Sequence, residues 1–462
     1  MIRRPAFSAV VILTLGAGFG ANVAVFSVLQ VVLLAPLPYQ EAEQLVRIYG
    51  TRLDEPDETR LLSLAAPVAI ELRDEVPSLS GVAIIESSGA RGVDLTGGDR
   101  PERLRLLPVN SDYFDVLGWP PVLGRAFTAS EEVAEARVAV VREDVWRRHL
   151  RGDPRALGQT LLVDGEALTV VGVVSDDVRD PVEGQVDVWV PTDLSAGVAG
   201  AWQNNYLTAV GRLGPGADLG SLRSELDLVE SRHESISSDA AEKGLVLVPL
   251  HEDLVGDSRP VLTAVMGAVL FLLLLTCVNV ASLMVARAGR REQELAIRAS
   301  LGSPRSRLVR SFVIESSLLA VLGAALGVVV GFLALDLILA VAPADLPRRE
   351  AILLGRSAVT VAGALGLVIG LVLGVATALP FVRREPRPVL ARRSGGGHAP
   401  GVRSGLVVVE VALAVVLLSG ATALMRTVQE LGSQDLGIEA SGVLTYTVGL
   451  PTARYASDEA IA

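Results

Sequence analysis

VLTAVMGAVLFLLLLTCVNVASLMVA, residues 261–286, is a run of 26 residues without one charged side chain. A helix of this length rises about 39 Å at ~1.5 Å per residue, which exceeds the roughly 30 Å of hydrocarbon in a bilayer. The run therefore predicts a transmembrane helix. Four further apolar runs long enough to span a bilayer occupy residues 7–34, 312–342, 358–382 and 405–425.

The composition agrees with a membrane protein. Half of the 462 residues are hydrophobic, only 4% are aromatic, and the mean hydropathy is +0.46, which is too apolar for an ordinary soluble enzyme. A cleaved signal peptide is the alternative for the first run, since Arg3 and Arg4 precede it. Its apolar stretch is longer than the 7 to 15 residues usual for such a signal, so a membrane span is favoured.

Arginines predict the orientation, because short loops rich in Arg and Lys stay in the cytoplasm. They crowd residues 287–310 and 383–403, and Arg3 and Arg4 open the chain. With the N-terminus inside, both stretches fall on the cytoplasmic side. Residues 35–260 are then outside, in the same segment that holds 39 of the 52 acidic residues.

The outer segment reads as a mixed α+β domain. Its β-rich runs are followed by turn residues, and Asp164-Gly165 between two of them is a strong hairpin signal. Two stretches have helical spacing of apolar residues instead. The predicted strands are 137–141, 160–163, 168–174 and 186–190, and the predicted helices are 65–75 and 219–235. The four tryptophans, Trp119, Trp146, Trp189 and Trp202, all lie here and are expected to pack rather than to form a ligand site.

The end of the chain resembles its beginning. After an Arg- and Gly-rich linker, residues 383–404, the span 405–425 is followed by a strand-like run, 442–449, in the order of the first span and residues 44–49. Residues 426–462 would start a second extracytoplasmic domain. Since the chain stops at Ala462, we expect the second half to be truncated.

No motif predicts catalysis or a metal. Lys243 is the only lysine, and its surroundings lack the glycine loop and the Ser or Thr of a P-loop, so no Walker-type ATPase is expected. The four histidines lack ligand spacing, and the single cysteine, Cys277, lies in an apolar run. No cofactor is expected. The acidic pairs Glu131-Glu132 and Asp176-Asp177 are expected to be solvated surface turns.

ARAGRREQELAIRASLGSPRSRLVRSFVIE, residues 286–315, is the most informative cytoplasmic stretch. Its spacing predicts a short amphipathic helix that ends at Gly302, followed by a helix that enters the next span. Leu295, Ile297 and Leu301 would form an apolar face that must lie on lipid or on a partner. The alternative is a basic loop on the membrane surface that only fixes the topology.

Glycines recur every fourth residue in two consecutive spans, a pattern that lets helix backbones approach closely. In a chain with 45 glycines such repeats also arise by chance, but two full triplets favour packing. Three acidic residues, Glu315, Glu410 and Asp336, lie near span ends, and pairing or snorkelling explains them better than transport. The glycines are Gly323, Gly327, Gly331, Gly366, Gly370 and Gly374.

Five strings, in this order, resemble the MacB and FtsX group of ABC transporter permeases, especially the duplicated permeases common in acidobacteria. They are RRPAFSAVVILTLGAGFGANVAVFSVLQVVLLAPLPY at 3–39, VNSDYFDVLGWPPVLGRAFT at 109–128, VAVVREDVWRRHLRGDPRALGQTLLVDG at 138–165, VVGVV at 170–174 and RREQELAIRASLGSPRSRLVRSFVIES at 290–316.

The resemblance implies an α-helical membrane protein, with a four-span FtsX-like unit plus one further span and a MacB-like α+β extracytoplasmic domain. It implies a multi-pass protein of the bacterial inner membrane, and it identifies residues 290–305 as a coupling helix that docks on a separate cytoplasmic ABC ATPase subunit. Other implied partners are the lipid bilayer, a second permease unit and an extracytoplasmic adaptor, but no nucleic acid. The second unit would be a homodimer partner or the missing second half. The coupling residues would be Arg290, Glu294, Leu295, Ile297, Arg298, Leu301, Gly302 and Arg305.

The function expected from this resemblance is a permease for efflux or extraction of an unknown substrate. ATP-driven motion of the coupling helix would pass through the glycine-packed spans to the outer domain. An alternative is a membrane scaffold that switches an extracytoplasmic enzyme without transport. A membrane-anchored enzyme is the third reading, and no catalytic constellation supports it.

Overall fold

The computed structural model describes most of the chain, and two compact units divide it. The membrane unit contains the described residues of 1–35 and 257–441, and the outer unit those of 36–256. The described residues are 5–52, 61–96, 102–133, 136–195, 197–198, 200–236, 243–256, 258–289, 305–341, 352, 355–382 and 400–432.

Within the described residues, five helices are long and apolar enough to cross a membrane. The first, Pro5–Leu29, continues as a π-helical turn over Gln30–Leu34. This number and the positions confirm the spans predicted from hydropathy. Helices are numbered in chain order, and six helices of the outer unit follow the first membrane helix. The membrane helices are α1 (Pro5–Leu29), α8 (Ser258–Gly289), α9 (Arg305–Val341), α10 (Arg356–Val382) and α11 (Pro400–Gly432).

Helix α1 lies at the centre of the membrane unit and packs on α8, α9 and α10. Buried apolar side chains such as Leu15, Phe19 and Leu319 form the contact. In an 18-residue apolar stretch of the first span 56% of the residues are buried, against 11% in the corresponding stretch of α8 and 6% in that of α11. The bundle is therefore closed around α1 and leaves most of α8 and α11 exposed.

The outer unit is an α+β domain. Its helices are α2 (Ala66–Glu75), α3 (Tyr113–Leu117), α4 (Ala129–Val133), α5 (Glu143–His149), α6 (Leu219–Ile236) and α7 (Leu250–Val255). Its strands are β1 (Leu45–Arg52), β2 (Leu64–Ala65), β3 (Leu79–Glu86), β4 (Arg91–Thr96), β5 (Glu102–Val109), β6 (Leu123–Gly124), β7 (Val138–Arg142), β8 (Thr160–Val163), β9 (Glu166–Val174), β10 (Val188–Pro191), β11 (Asn205–Leu213) and β12 (Lys243–Pro249).

All twelve described strands belong to one sheet, in the order β10-β7-β9-β8-β4-β5-β3-β11-β1-β12, with β2 on β11 and β6 on β9. The predicted hairpin joins β8 to β9, with Val163 opposite Glu166. Asp164 and Gly165 both have positive φ, 51° and 84°, as a two-residue hairpin turn of the favoured twist requires. The strand and helix predictions for this domain agree with the structure to within a few residues.

Two apolar layers hold helices against this sheet. Helices α2 and α6 cover one part through side chains such as Leu72 and Leu226. Helix α3 covers another part, where Tyr113, Phe114 and Trp189 are fully buried together. Edge-on ring contacts of Phe114 with Tyr113 and Trp189 add to the burial. The tryptophan prediction holds for Trp189, which is a core residue.

Candidate functional site

The predicted coupling segment lies between α8 and α9. Helix α8 ends at Gly289 and α9 begins at Arg305, so the segment connects two membrane helices directly. Arg305 is the first residue of α9. The other predicted coupling residues, Arg290, Glu294, Leu295, Ile297, Arg298, Leu301 and Gly302, lie outside the described residues, and their roles stay predictions.

An ion pair joins the two helices just beyond the ends of that segment. Arg287, in the last turn of α8, places Nη1 2.9 Å from Glu315 Oε1 on α9. The Arg287 guanidinium also lies over the Phe7 ring of α1, 4.4 Å from its centroid. Three helices therefore meet at one arginine. Glu315 is paired, which is one of the two roles expected for it.

The glycines of α9 face α1. A Cβ added at Gly323 would lie 2.7 Å from Leu15 Cβ, one at Gly327 2.5 Å from Phe19 Cβ, and one at Gly331 2.9 Å from Val23 Cγ1. Such separations are below van der Waals contact, so only glycine permits this helix spacing. The triplet forms one continuous stripe against the central helix.

The glycines of α10 face a second, neighbouring face of α9. A Cβ at Gly366 would lie 2.8 Å from Ala324 Cβ, and one at Gly370 2.5 Å from Ser317 Cα. At Gly374 the added atom would lie 2.5 Å from the backbone of Val313. Helix α9 is therefore held between two glycine contacts, one with α1 and one with α10.

Sequence reasoning missed the partner glycines on α1. Added Cβ atoms at Gly16 and Gly20 would lie 2.8 Å from Leu326 Cδ2 and 2.6 Å from Val330 Cγ1. Their four-residue spacing is the same signal that singled out the glycines of α9, so they could have been found. Asn22 was missed too. Its Nδ2 donates to the Val269 carbonyl of α8 at 2.8 Å and ties α1 to that helix.

In the outer unit one acidic prediction is wrong. Glu132 is 2% exposed rather than solvated. Its carboxylate accepts from Arg73 Nη1 at 2.9 Å and from the Ser111 backbone N–H. Helix α4 carries the side chain into the domain, so its charge needs buried partners. Its neighbour Glu131 lies nearer the surface and forms a two-bond pair with Arg125.

Glu131 gives the outer unit a pH dependence. The two hydrogen bonds from Arg125 lower the pKa of the Glu131 carboxyl from 4.5 to about 2. A carboxyl with a lowered folded pKa stabilises the fold above pH ~4.5, and the contribution is lost as the pH falls towards 2. Because the pair is near the surface, we expect Glu131→Gln to lower the free energy of unfolding at pH 7 by about 0.5–1 kcal/mol.

Tryptophan fluorescence during denaturant unfolding measures this difference, since all four tryptophans lie in the outer unit. The difference in free energy of unfolding between wild type and Glu131→Gln should disappear as the pH falls from 4.5 to 2. Arg125→Gln should give a similar loss of unfolding free energy at pH 7, because it breaks the same ion pair. A gap that stays constant down to pH 2 would contradict the assignment.

Acidic and histidine side chains elsewhere in the outer unit pair with one another. His149 Nε2 lies 2.8 Å from Glu102 Oε2, and His233 Nε2 lies 2.7 Å from Glu71 Oε2. In the described part of the chain, no group of three or more His, Cys, Asp or Glu is arranged to hold a metal ion. The candidate site is the set of glycine-packed helices that flank the coupling segment, with the ion pair at Arg287.

Two family models match the chain. A MacB-like periplasmic core domain matches residues 8–229, and an FtsX-like permease C-terminal domain matches residues 266–386. Together they account for most of its length. The chain is a permease of the MacB/FtsX type. In this MacB/FtsX-type permease the FtsX-like match contains most of α8, all of α9 and α10, and the coupling segment. The permease is thus an inner-membrane component of the ABC transporter class with an extracytoplasmic domain.

Curated relatives of this MacB/FtsX-type permease include macrolide export ATP-binding/permease proteins MacB. The protein from Burkholderia pseudomallei is 25% identical over 248 residues, which cover 48% of this chain and 34% of the relative. The protein from Wolinella succinogenes is 24% identical over 279 residues, which cover 59% of this chain and 42% of the relative. This chain therefore matches less than half the length of these relatives.

Two of the solved structures similar to the permease are a periplasmic and an extracellular domain. The periplasmic region of MacB from Actinobacillus actinomycetemcomitans is 16% identical, with a TM-score of 0.34, and covers 47% of this chain and 94% of that one. The extracellular domain of the noncanonic ABC-type transporter YknZ from Gram-positive bacteria is 14% identical, with a TM-score of 0.31. The match covers 44% of this chain and 99% of that domain.

Proposed function

We propose that this chain is the permease subunit through which a separate ATPase moves an extracytoplasmic domain, for efflux or extraction of a substrate. The observation that carries the proposal is the junction at Arg287. One arginine joins the helices before and after the coupling segment and touches α1. A force applied to the segment would therefore act on three helices together.

The glycine contacts support transmission of that force. Close backbone packing on two faces of α9 makes α1, α9 and α10 a stiff unit, because tightly packed interfaces do not deform continuously. The outer domain begins at Pro36, after α1 in the chain, and ends at Gly256, before α8. Motion of the bundle would therefore be passed to both ends of the outer domain.

We propose that ATP hydrolysis takes place in the partner and not on this chain. Lys243, the only lysine, is the first residue of strand β12, whereas a P-loop lysine stands at a helix N-terminus. The relatives that carry "ATP-binding" in their names are longer than the region matched here. The exposed faces of α8 and α11 fit a second permease unit as a further partner.

Co-purification from the native host tests the proposal. The full-length chain should recover a P-loop ATPase, and Leu295→Asp, Ile297→Asp and Leu301→Asp together should lower the recovery at least tenfold. Three aspartates would place charge on the proposed apolar docking face, which desolvation disfavours strongly. Light scattering of the same sample reports whether two permease chains are present.

A matched control carries three aspartates elsewhere. Val122, Leu219 and Leu228 are exposed apolar residues of the outer unit, and their replacement should leave ATPase recovery unchanged. Equal recovery with the segment variant would refute the coupling role of residues 290–305. If wild type recovers an extracytoplasmic hydrolase and no ATPase, the chain is instead a scaffold that switches that enzyme.

A further inference from the structure

Six of the described strands close into a small barrel within the outer unit. The ring runs β5, β10, β7, β9, β8, β4 and back to β5. The parallel pairing of β10 with β5, Val188 opposite Leu106, closes it. Its interior is filled by apolar side chains from all six strands, as expected of a barrel too narrow for an open channel.

The two ends of this barrel differ. At one end β7 runs into α5, whose Val145 is fully buried in the barrel core, and Leu150 after the helix packs there too. At the other end, where β4, β7 and β9 begin and β5, β8 and β10 finish, a cavity of about 280 Å³ remains. We call this cavity the barrel mouth.

The floor of the barrel mouth is apolar and its rim is charged. Val93, Leu106, Val163, Leu168 and Val190 contribute the floor. The rim carries Asp164, Glu166 and Asp193 together with Arg91 and Arg137. An apolar pocket with a few convergent polar groups is the usual form of a small-molecule site.

Charge decides which ligand fits. Glu131 and Glu132 also line the barrel mouth. Glu131 is paired with Arg125 and Glu132 with Arg73, and both arginines lie outside the mouth. Asp164 and Asp193 also lie on the rim, just after the ends of β8 and β10. The surrounding segment, residues 41–257, is strongly acidic, with 39 Asp and Glu against 20 Lys and Arg. Such a domain attracts cations and repels anions over distances beyond direct contact.

We propose that the barrel mouth binds a small organic cation with an apolar body. The apolar part would lie on Val93, Val163 and Leu168, and the positive group would lie between Asp164 and Asp193. The volume suits one ring or a short branched chain with its charged group. The mouth lies wholly within the outer unit, so this binding is independent of ATPase docking.

Calorimetry on the full-length chain in lipid nanodiscs tests the site, with empty nanodiscs as the blank. Phenyltrimethylammonium is the probe, and benzenesulfonate carries the same ring with the opposite charge. We expect the cation to bind and the anion to bind at least tenfold more weakly. Asp164→Asn, Glu166→Gln and Asp193→Asn together should weaken binding of the cation at least tenfold.

The control is Asp177→Asn, an exposed aspartate that follows β9 at the opposite end of the barrel, and it should bind the cation like wild type. If the triple variant fails to fold, exposed Asp193→Asn alone should weaken binding about threefold. The proposal is overturned if benzenesulfonate binds as tightly as the cation, if the rim variants bind unchanged, or if the cation gives no heat above empty discs.

Discussion

Gly327→Val should destabilise the membrane unit by about 3 kcal/mol, roughly a hundredfold in the folding equilibrium, because overpacking of a closed interface forces the backbones apart. Its added Cβ would lie 2.5 Å from Phe19 Cβ and 3.1 Å from the Gly20 backbone nitrogen. Gly20 packs closely on α9 as well, since a Cβ added there would lie 2.6 Å from Val330 Cγ1. Far-UV circular dichroism of the full-length chain during unfolding in detergent measures the effect.

Gly363→Val is the matched control. It makes the same change in the neighbouring helix α10, where no described atom lies within 4 Å of an added Cβ. We expect it to alter stability by less than about 0.5 kcal/mol, as is usual for substitutions away from packed features. Equal stability of the two variants would show that the glycine stripe does not hold α1 and α9 together.

Arg73→Met should destabilise the outer unit by about 3–5 kcal/mol, since it removes the partner of a buried carboxylate. Glu132 is 2% exposed and lies 2.9 Å from the Arg73 guanidinium. Methionine keeps most of the alkyl stem, so the loss is mainly electrostatic. Tryptophan fluorescence during unfolding measures it, because every tryptophan lies in this unit.

The double variant Arg73→Met with Glu132→Gln should recover much of that loss, because no charge is then left uncompensated in the interior. Arg103→Met is the control. Arg103 pairs with Asp94 at 3.9 Å, with both side chains more than half exposed, and such pairs contribute at most about 1 kcal/mol. An Arg73→Met variant as stable as Arg103→Met would contradict the buried pair.

Stability and function meet at α9 in this permease. The glycine contacts that Gly327→Val would open are those proposed to pass motion from the coupling segment to the bundle. A variant that folds with α1 and α9 further apart should therefore still recruit the ATPase. Recruitment needs only the segment, whereas transmission needs the packed helices.

Local patterns predicted a good part of the outer unit. The hairpin at Asp164-Gly165, strands β7 to β10 and helices α2 and α6 were found because each has its own turn or spacing signal. Strands β3, β5 and β11 were not predicted. They are joined to partners far away in sequence, such as Ile85 opposite Thr208 and Val109, and no local pattern records such a pairing.

The sequence by itself determined the five spans, the mixed outer domain and the glycine-bearing helices. Length, hydropathy and spacing are properties of the chain, and a bilayer leaves a long apolar run one choice, the helix. Tertiary structure alone decided which helices the glycines face, that Glu132 is buried beside Arg73, and that six strands close into a barrel with one open end. Those facts depend on which distant residues meet, and they follow from the packing of the whole chain rather than from any single segment.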